Sequence, residues 1–214
     1  AEGETIRCGA GLSLSKACSF ALSHGLAGLE FAWGIPGSVG RAVYMNAGAY
    51  GGEISQVLSS CTFLDENGGE RTLTREELSF SYRTSAFTNT GRVILGAAFT
   101  LRPEEAGQIK SRMDDYIKRR TEKQPLEYPS AGSVFKRPQG AFAGALIEQC
   151  GLKGYGIGGA QVSEKHAGFI INAGGATCRD VQELIAFIQQ TVQKQTGYFL
   201  ECEVKTLYSY KTEG

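Results

Sequence analysis

The segment PSAGSVFKRP places one hydroxyl, that of Ser133, close to the cations of Lys136 and Arg137. A serine hydroxyl attacks as a nucleophile when a neighbouring base activates it, and it can otherwise serve as a weak proton donor. The chain has only two histidines, His24 and His166, and neither is adjacent to Ser133 in the sequence. Ser133 is therefore predicted to donate a proton rather than to attack a substrate.

Better-known catalytic and nucleotide-binding motifs are incomplete in this chain. Ser133 and Lys136 fit the S-x-x-K pattern of penicillin-binding proteins and β-lactamases, but Ser13 and Lys16 fit it as well, and the companion S-D-N and K-T-G elements are absent. No Gly-Lys dipeptide supplies a Walker A loop, and GAGLSL lacks the third glycine of a dinucleotide-binding turn. Both classes of protein are therefore disfavoured.

The composition indicates a cytoplasmic protein without nucleic acid or membrane partners. Lysines and arginines number 22, as do aspartates and glutamates, so no net charge attracts a polyanion. The apolar runs are too short to span a bilayer, and the first residues, AEGETIRCGAG, lack the regions of a signal peptide. The 6 cysteines include no C-x-x-C pair, so we expect no metal site and reduced thiols.

Hydrophobic periodicity and turn residues predict an α+β chain with two domains. Helices are expected over SLSKACSFALSHG, 103–120, 141–149 and 178–195, with a one-turn helix starting at TREEL. Strands are expected in TIRCGAG, in a hairpin over QVLSSCTFLDENGGERTLT, at 92–101, 133–136, 160–163 and 168–172, and along YFLECEVKTLYSY. Because these elements do not alternate regularly, α+β is favoured over a doubly wound fold.

A domain boundary is predicted near residue 122. The charged run KRRTEK ends a helix, and Pro125 and Pro129 follow it as breakers that are typical of a linker. We therefore expect a first domain over 1–122, a second over 123–198, and a C-terminal return strand over 199–210.

Four sequence segments follow one another along the chain in this order: GIPGSVGRAVYMNAGAYGGEI, SYRTSAF, YPSAGSVFKRP and LECEV. A fifth, GLKGYGIGGAQVSEKHAGFIIN, adds a further long match in the second domain. Together they resemble the UDP-N-acetylenolpyruvoylglucosamine reductases, the MurB family of peptidoglycan synthesis. The resemblance covers nearly the whole chain. The direct Tyr-Pro-Ser linker before Ser133 is similar to the shorter, second-type branch of that family.

The resemblance implies a flavin-dependent oxidoreductase with a flavin-binding first domain and a smaller α/β substrate-binding domain. FAD and NADPH are the implied cofactors, and the implied reaction reduces UDP-N-acetylglucosamine enolpyruvate to UDP-N-acetylmuramate. By family position, Arg83 and Glu203 stabilise the enolate that follows hydride transfer, and Ser133 protonates it. Such chemistry needs cations and hydrogen-bond donors at the developing oxyanion, and one acid at the neighbouring carbon.

The resemblance also assigns the binding residues. Those implied for the cofactor are Ile35, Pro36, Gly37, Ser38, Gly40, Asn46, Tyr50 and Tyr82, and those implied for the nucleotide sugar are Lys123, Arg137 and His166. Glycines let backbone amides approach a diphosphate, and cations suit its charge. Structural alternatives stand beside these roles: close packing for the small residues, a surface ion pair for Arg83, an exposed strand position for Glu203, and a buried structural role for His166.

Two features depart from the family pattern. The family's chains open with a lobe of about one hundred residues, roughly one domain, and the match begins after that lobe. Arg41 follows GIPGSVG, where the family has a small residue beside the flavin. Two alternatives therefore stand, a working reductase and a non-catalytic module that binds the UDP-sugar without FAD. Apolar surface bared by a missing lobe predicts a dimer.

Overall fold

The computed structural model describes residues 1–206, which fall into two compact units. Unit 1 comprises Ala1–Arg120, and unit 2 begins at Thr121. Each unit buries its own cluster of apolar side chains, so each is described by itself. Within residues 1–206, no helix is both long and apolar enough to cross a membrane.

Unit 1 is built on a four-stranded antiparallel sheet with the strand order β1-β7-β5-β6. Its elements are β1 Thr5–Gly9, α1 Leu14–Ser23, β2 Leu26–Ala27, α2 Val39–Tyr44, β3 Gly48–Ala49, β4 Gly52–Glu53, β5 Leu58–Leu64, β6 Glu70–Thr74, β7 Val93–Thr100, β8 Arg102–Pro103 and α3 Ala106–Lys123, with 3-10 turns at Glu30–Ala32 and Ile54–Gln56. The last three residues of α3 belong to unit 2. Two separate two-stranded sheets, β2 with β8 and β3 with β4, also belong to unit 1.

Local chemistry explains the predicted elements of unit 1. Oδ1 of Asp65 accepts hydrogen bonds from the amides of Asn67 and Gly69, and Gly68 has a φ of 80°, so the β5–β6 hairpin turns where its sequence predicts. The apolar face predicted for the long helix is present in α3, where Ile109 and Met113 are buried in the core. The hairpin and this helix are confirmed.

Unit 2 pairs four strands in the antiparallel order β10-β11-β12-β9 and packs two helices against them. Its elements are β9 Ser130–Ser133, α4 Ala143–Gln149, β10 Gly156–Ile157, β11 Ala160–Val162, β12 Phe169–Asn172 and α5 Cys178–Thr196. Leu184, Ile188 and Val192 form the fully buried stripe of α5. A capping box between Thr177 and Asp180 starts that helix, as its sequence predicts.

Two predicted strands and one predicted helix differ from the structure. The strand expected at 133–136 lies three residues earlier, because β9 ends where the chain changes partner. The amide of Val134 still bonds to the carbonyl of Gly168, but its carbonyl and the amide of Lys136 bond to the C-terminal segment, around a bridge between Phe135 and Cys202. That bridge is the only strand pairing of 199–206, and the rest of the predicted return strand, 207–210, lies outside the described residues. TREEL forms a turn rather than a helix, because its Thr74 pairs with Ser60 in the sheet.

All six cysteines are free thiols. Burial raises the pKa of Cys18 and of Cys61 to about 12, so both stay protonated at neutral pH. Cys178 is exposed at the first turn of α5. The buried thiols of unit 1 therefore act as small apolar side chains.

Candidate functional site

The loop of residues 34–38 in unit 1 is held by its neighbours at both ends. The amide of Leu14 donates to the carbonyl of Gly37 at 2.9 Å, and the amide of Val39 donates to the carbonyl of Leu12 at 2.8 Å. Gly37 has a φ of 131° and open space where a Cβ would stand. Among residues 1–206, the amides of Gly37 and Ser38 have no recorded partner. The loop therefore presents two adjacent backbone donors.

Gly40, which is also predicted to bind the cofactor, has a packing role in the structure. Its amide donates to the carbonyl of Ala10 at 2.9 Å. A Cβ added to Gly40 would stand 2.9 Å from the Cβ of Ala10, so only glycine allows α2 to approach the chain there. Ile35 is half-buried, whereas Pro36 is exposed at the tip of the loop.

Asn46 lies just after α2 and is 2% exposed. Its Nδ2 donates to the carbonyl of Ser81 at 3.3 Å, and its Oδ1 accepts from the amide of Ser55 at 2.9 Å. Both ends of the carboxamide are thus engaged with the backbone of unit 1. The side chain of Asn46 holds the segment that carries Tyr82 and Arg83, and the cofactor contact that the sequence predicts for it stays a prediction.

Tyr82 and Arg83 stand on a tight turn closed by two backbone bonds of 3.1 Å between Ser81 and Thr84. Arg83 has a φ of 57°, a left-handed conformation that residues other than glycine rarely adopt. Its guanidinium carbon lies 5.2 Å from the centre of the Tyr82 ring, and Tyr82 is about half exposed. The turn therefore presents a cation and an aromatic face together.

Tyr50 and Arg41 have their side chains placed by neighbouring rings. The ring of Tyr50 stacks on that of Tyr116 in α3, with the centres 4.6 Å apart and the planes 2° from parallel. Arg41 is exposed on α2, and its guanidinium carbon lies 5.1 Å from the centre of the Tyr44 ring. The guanidinium of Arg41 thus lies along its own helix.

In unit 2, strand β9 and the C-terminal segment bring Ser133 and Glu203 to neighbouring positions. The amide of Glu203 donates to the carbonyl of Val134 at 2.7 Å, so Glu203 lies opposite the residue that follows Ser133. Ser133 is exposed, and its hydroxyl donates to the carbonyl of Phe135 at 3.4 Å, which is a long bond. The structure therefore brings these two predicted catalytic residues into one part of unit 2.

Lys136, which stands next to this pair, is already engaged. Its Nζ lies 2.5 Å from Oε1 of Glu201, and the two residues face each other across the same backbone pairing. An opposing carboxylate offsets the ammonium charge, so Lys136 is poorly suited to stabilise an alkoxide on Ser133. Glu201 is a partner that the sequence does not reveal.

His166 is partly buried beside the strand that pairs with Ser133. Its Nδ1 accepts a hydrogen bond from the amide of Gly168 at 3.0 Å, which places the ring proton on Nε2. Burial lowers the pKa of His166 below its ordinary value, and the nearby charge of Lys153 lowers it further. His166 is therefore a neutral Nε2–H donor at pH 7, and not the cation that a diphosphate would favour most.

The other two predicted nucleotide-binding residues are exposed. Lys123 is the last residue of α3. The guanidinium carbon of Arg137 lies 3.9 Å from the ring centre of Phe142, which is 61% exposed. Sequence reasoning misses Phe142 because it lies in none of the matched motifs. An exposed aromatic residue beside an arginine is the signal that would have identified it.

Two family models and several known proteins are similar to this chain. Residues 1–74 match the family model described as an FAD binding domain, and residues 124–207 match that of the UDP-N-acetylenolpyruvoylglucosamine reductase C-terminal domain. The reductase of that name from Streptococcus pneumoniae (strain CGSP14) is 52% identical over 206 residues, which cover 96% of this chain and 68% of the relative. The one from Clostridium botulinum (strain Hall) is 53% identical, with coverage of 96% and 67%.

The chain belongs to the UDP-N-acetylenolpyruvoylglucosamine reductase family. A crystal structure of this reductase (MurB) from Thermus caldophilus matches with a TM-score of 0.82 and 36% identity, over 94% of this chain and 71% of that chain. These findings confirm the predicted resemblance and the α+β fold. As a member of the reductase family, the protein is a flavin-dependent oxidoreductase whose cofactor is FAD.

The residues of unit 1 fit the FAD that the reductase family uses. The adjacent amides of Gly37 and Ser38 suit the anionic or hydrogen-bonding edge of such a group, and the open space at Gly37 leaves room for it. Tyr82 supplies an exposed aromatic face. Gly40 and Asn46 support the loop and the turn that carry those groups, and their own contacts with the cofactor stay predictions.

Proposed function

We propose that the protein reduces UDP-N-acetylglucosamine enolpyruvate to UDP-N-acetylmuramate in peptidoglycan synthesis, with NADPH as the source of hydride. The observation that carries the proposal is the identity of 52–53% with reductases of that name across 96% of the chain. A cytoplasmic location and a dimeric state stay predictions of the sequence.

FAD, which the loop of residues 34–38 and the ring of Tyr82 would hold, would supply hydride transfer from the reduced nicotinamide to the methylene carbon of the substrate. One proton on the neighbouring carbon then saturates the double bond. The chain's own residues must therefore bind the nucleotide sugar, stabilise the negative charge that spreads onto the pyruvyl carboxylate, and deliver that proton.

Ser133 is the proposed proton donor. A hydroxyl is a weak acid, but the carbanion beside the carboxylate is a strong base, so the transfer is favourable. The long bond of 3.4 Å to the carbonyl of Phe135 holds the hydroxyl weakly, which leaves its proton able to turn toward a substrate. Because Lys136 is paired with Glu201, we propose that solvent rather than that ammonium replaces the hydroxyl proton.

Arg83 and Glu203 are proposed to act on the enolate. The planar guanidinium of Arg83 matches the two oxygens of a carboxylate, and its charge is permanent, so it needs no proton at the moment of reaction. Glu203 is partly buried on the C-terminal segment. We propose that its carboxyl group orients the pyruvyl group by a hydrogen bond.

Lys123, Arg137 and His166 are proposed to bind the nucleotide sugar. The exposed cations of Lys123 and Arg137 suit the diphosphate. Since the lowered pKa of His166 keeps its ring neutral, its role is a single hydrogen bond from Nε2. Phe142, which supports Arg137 by its ring, joins this set.

The visible spectrum of the purified protein and a titration with FAD test the proposal first. We expect bound FAD, and then oxidation of NADPH that depends on the enolpyruvyl substrate. UDP-N-acetylglucosamine, which lacks the enolpyruvyl group, is the matched control and should not be reduced. Binding of the UDP-sugar without any binding of FAD would instead support the non-catalytic alternative.

A further inference from the structure

The turn that carries Arg83 is held at both ends by buried side chains. At one end, Asn46 donates from Nδ2 to the carbonyl of Ser81 at 3.3 Å. At the other end, Ser85 donates from Oγ to the carbonyl of Tyr44 at 2.7 Å. Asn46 and Ser85 are 2% and 4% exposed, so both donor side chains are held by the surrounding core. Both bonds tie the turn to the residues that end α2.

These ties matter because the backbone of Arg83 is strained. A left-handed conformation is sparsely populated for residues other than glycine, and it persists only where the surroundings impose it. The reciprocal bonds between Ser81 and Thr84 close the turn upon itself. The bonds from Asn46 and Ser85 tie the two ends of the turn to the end of α2.

Helix α2 connects this turn to the loop that is suited to FAD. The helix follows Ser38 and ends at Tyr44, so at 1.5 Å per residue it is about 9 Å long. The loop of residues 34–38 precedes its first turn, and Asn46 follows its last. One short helix therefore fixes the position of the Arg83 turn with respect to the loop.

We propose that Asn46 is a positioning residue for Arg83, which acts through the carbonyl of Ser81 and touches neither cofactor nor substrate. This inference rests on the proposed function, in which Arg83 stabilises the enolate. A donor stabilises an oxyanion fully only when it is held in place before the charge develops. Displacement of the turn should thus slow the chemical step more than it weakens substrate binding. The bond from the amide of Ser55 to Oδ1 orients the carboxamide, so that Nδ2 faces Ser81.

Three substitutions separate this role from general destabilisation. Asn46→Asp keeps an oxygen acceptor for the amide of Ser55 but places an oxygen, rather than a donor, against the carbonyl of Ser81. Ser85→Ala releases the other end of the turn. Ser59→Ala is the matched control, because Ser59 also donates from Oγ to a backbone carbonyl, at 3.0 Å, but within the sheet.

The test is a double-mutant cycle that combines each substitution with Arg83→Ala. The measured quantity is the single-turnover rate at which the enolpyruvyl substrate reoxidises the reduced flavin. We expect Asn46→Asp to lower this rate roughly tenfold or more in the parent protein. It should have little further effect when Arg83 is already alanine, because both substitutions remove the same interaction of Arg83 with the enolate. Ser85→Ala should behave alike. Ser59→Ala should leave the rate unchanged, and the flavin spectrum of Asn46→Asp should match that of the parent.

Independent, additive losses in the cycle, or a shifted flavin spectrum in Asn46→Asp, would mean that Asn46 contacts the cofactor or the substrate, and would overturn the proposal. An unchanged rate in Asn46→Asp would overturn it too. Failure of the proposed function has another signature, since Arg83→Ala alone would then react as fast as the parent. If Asn46→Asp does not fold, Ser85→Ala gives the same cycle from the other end of the turn.

Discussion

The two units reach unusual backbone conformations by different means. In unit 1, the residues other than glycine with positive φ angles are Asn46, Tyr50, Ser79, Arg83 and Asn89. Among residues 121–206 of unit 2, every recorded positive φ belongs to a glycine. Three of the five strained residues of unit 1 are predicted site residues. Strain of this kind clusters where a side chain must be aimed, and buried bonds must hold it there.

The predicted site residues of unit 2 stand on relaxed backbone. Ser133 ends a strand, Lys123 ends a helix, and Glu203 lies in an extended segment that bonds to Val134. Their positions follow from strand pairing and helix length rather than from clamped turns. Substitution in unit 2 should therefore change chemistry with little effect on the neighbouring backbone, whereas substitution in unit 1 should disturb both.

The largest expected effect is in unit 2. Ser133→Ala should lower the single-turnover rate of flavin reoxidation by about 10²- to 10⁴-fold, the contribution of one positioned acid. Reduction of the flavin by NADPH should be unchanged, because no proton reaches the substrate in that half-reaction. Ser130→Ala, in the same strand, is the control and should keep the parent's rate. Equal losses in both variants would show that the rate depends on the structure of β9 and not on the hydroxyl of Ser133.

Part of the structure of the two units can be predicted from the sequence. The stripe of Leu184, Ile188 and Val192 and the capping box at Thr177 predict α5 almost to the residue, because periodicity and caps are local. The matched motifs identify the residue types of the site for the same reason. They leave the conformation open: nothing in SYRTSAF indicates that Arg83 adopts a left-handed backbone, since arginine rarely does.

Long-range partners account for the remaining differences. The strand predicted at 133–136 is displaced because Val134 bonds to Gly168 on one side and to Glu203 on the other, a change of partner that no local pattern encodes. Asn46 is predicted to contact the cofactor because it lies in a matched motif. Its hydrogen-bond partner Ser81 is 35 residues away, so only the folded chain reveals that contact.

A smaller effect compares the backbones of the two units directly. Ser79 is exposed, with a φ of 45°. Ser79→Gly should relieve left-handed strain and stabilise the protein by about 0.5–1 kcal/mol, after allowing for the extra freedom of glycine in the unfolded chain. Ser130→Gly makes the same change on an extended strand of unit 2 and should destabilise by about 0.5–1 kcal/mol. Urea unfolding measures the change in unfolding free energy for both variants. A change of the same sign in both would contradict the difference between the backbones of the two units.

The smallest expected effect is the pH dependence that His166 gives to unit 2. Burial lowers its pKa in the folded state below the ordinary value of 6.5, so the unfolded chain binds the proton more readily. The stability that follows from this difference is present above about pH 6.5 and is lost as pH falls through the folded pKa.

His166→Asn, which keeps an acceptor for the amide of Gly168, should flatten the fall in unfolding free energy between pH 7.5 and pH 5. His24→Asn, at an exposed position, should leave it as in the parent. If His166→Asn retains the full pH dependence, the carboxylates of unit 2 rather than this ring control its acid stability, and the neutral Nε2–H assigned to substrate binding loses its support.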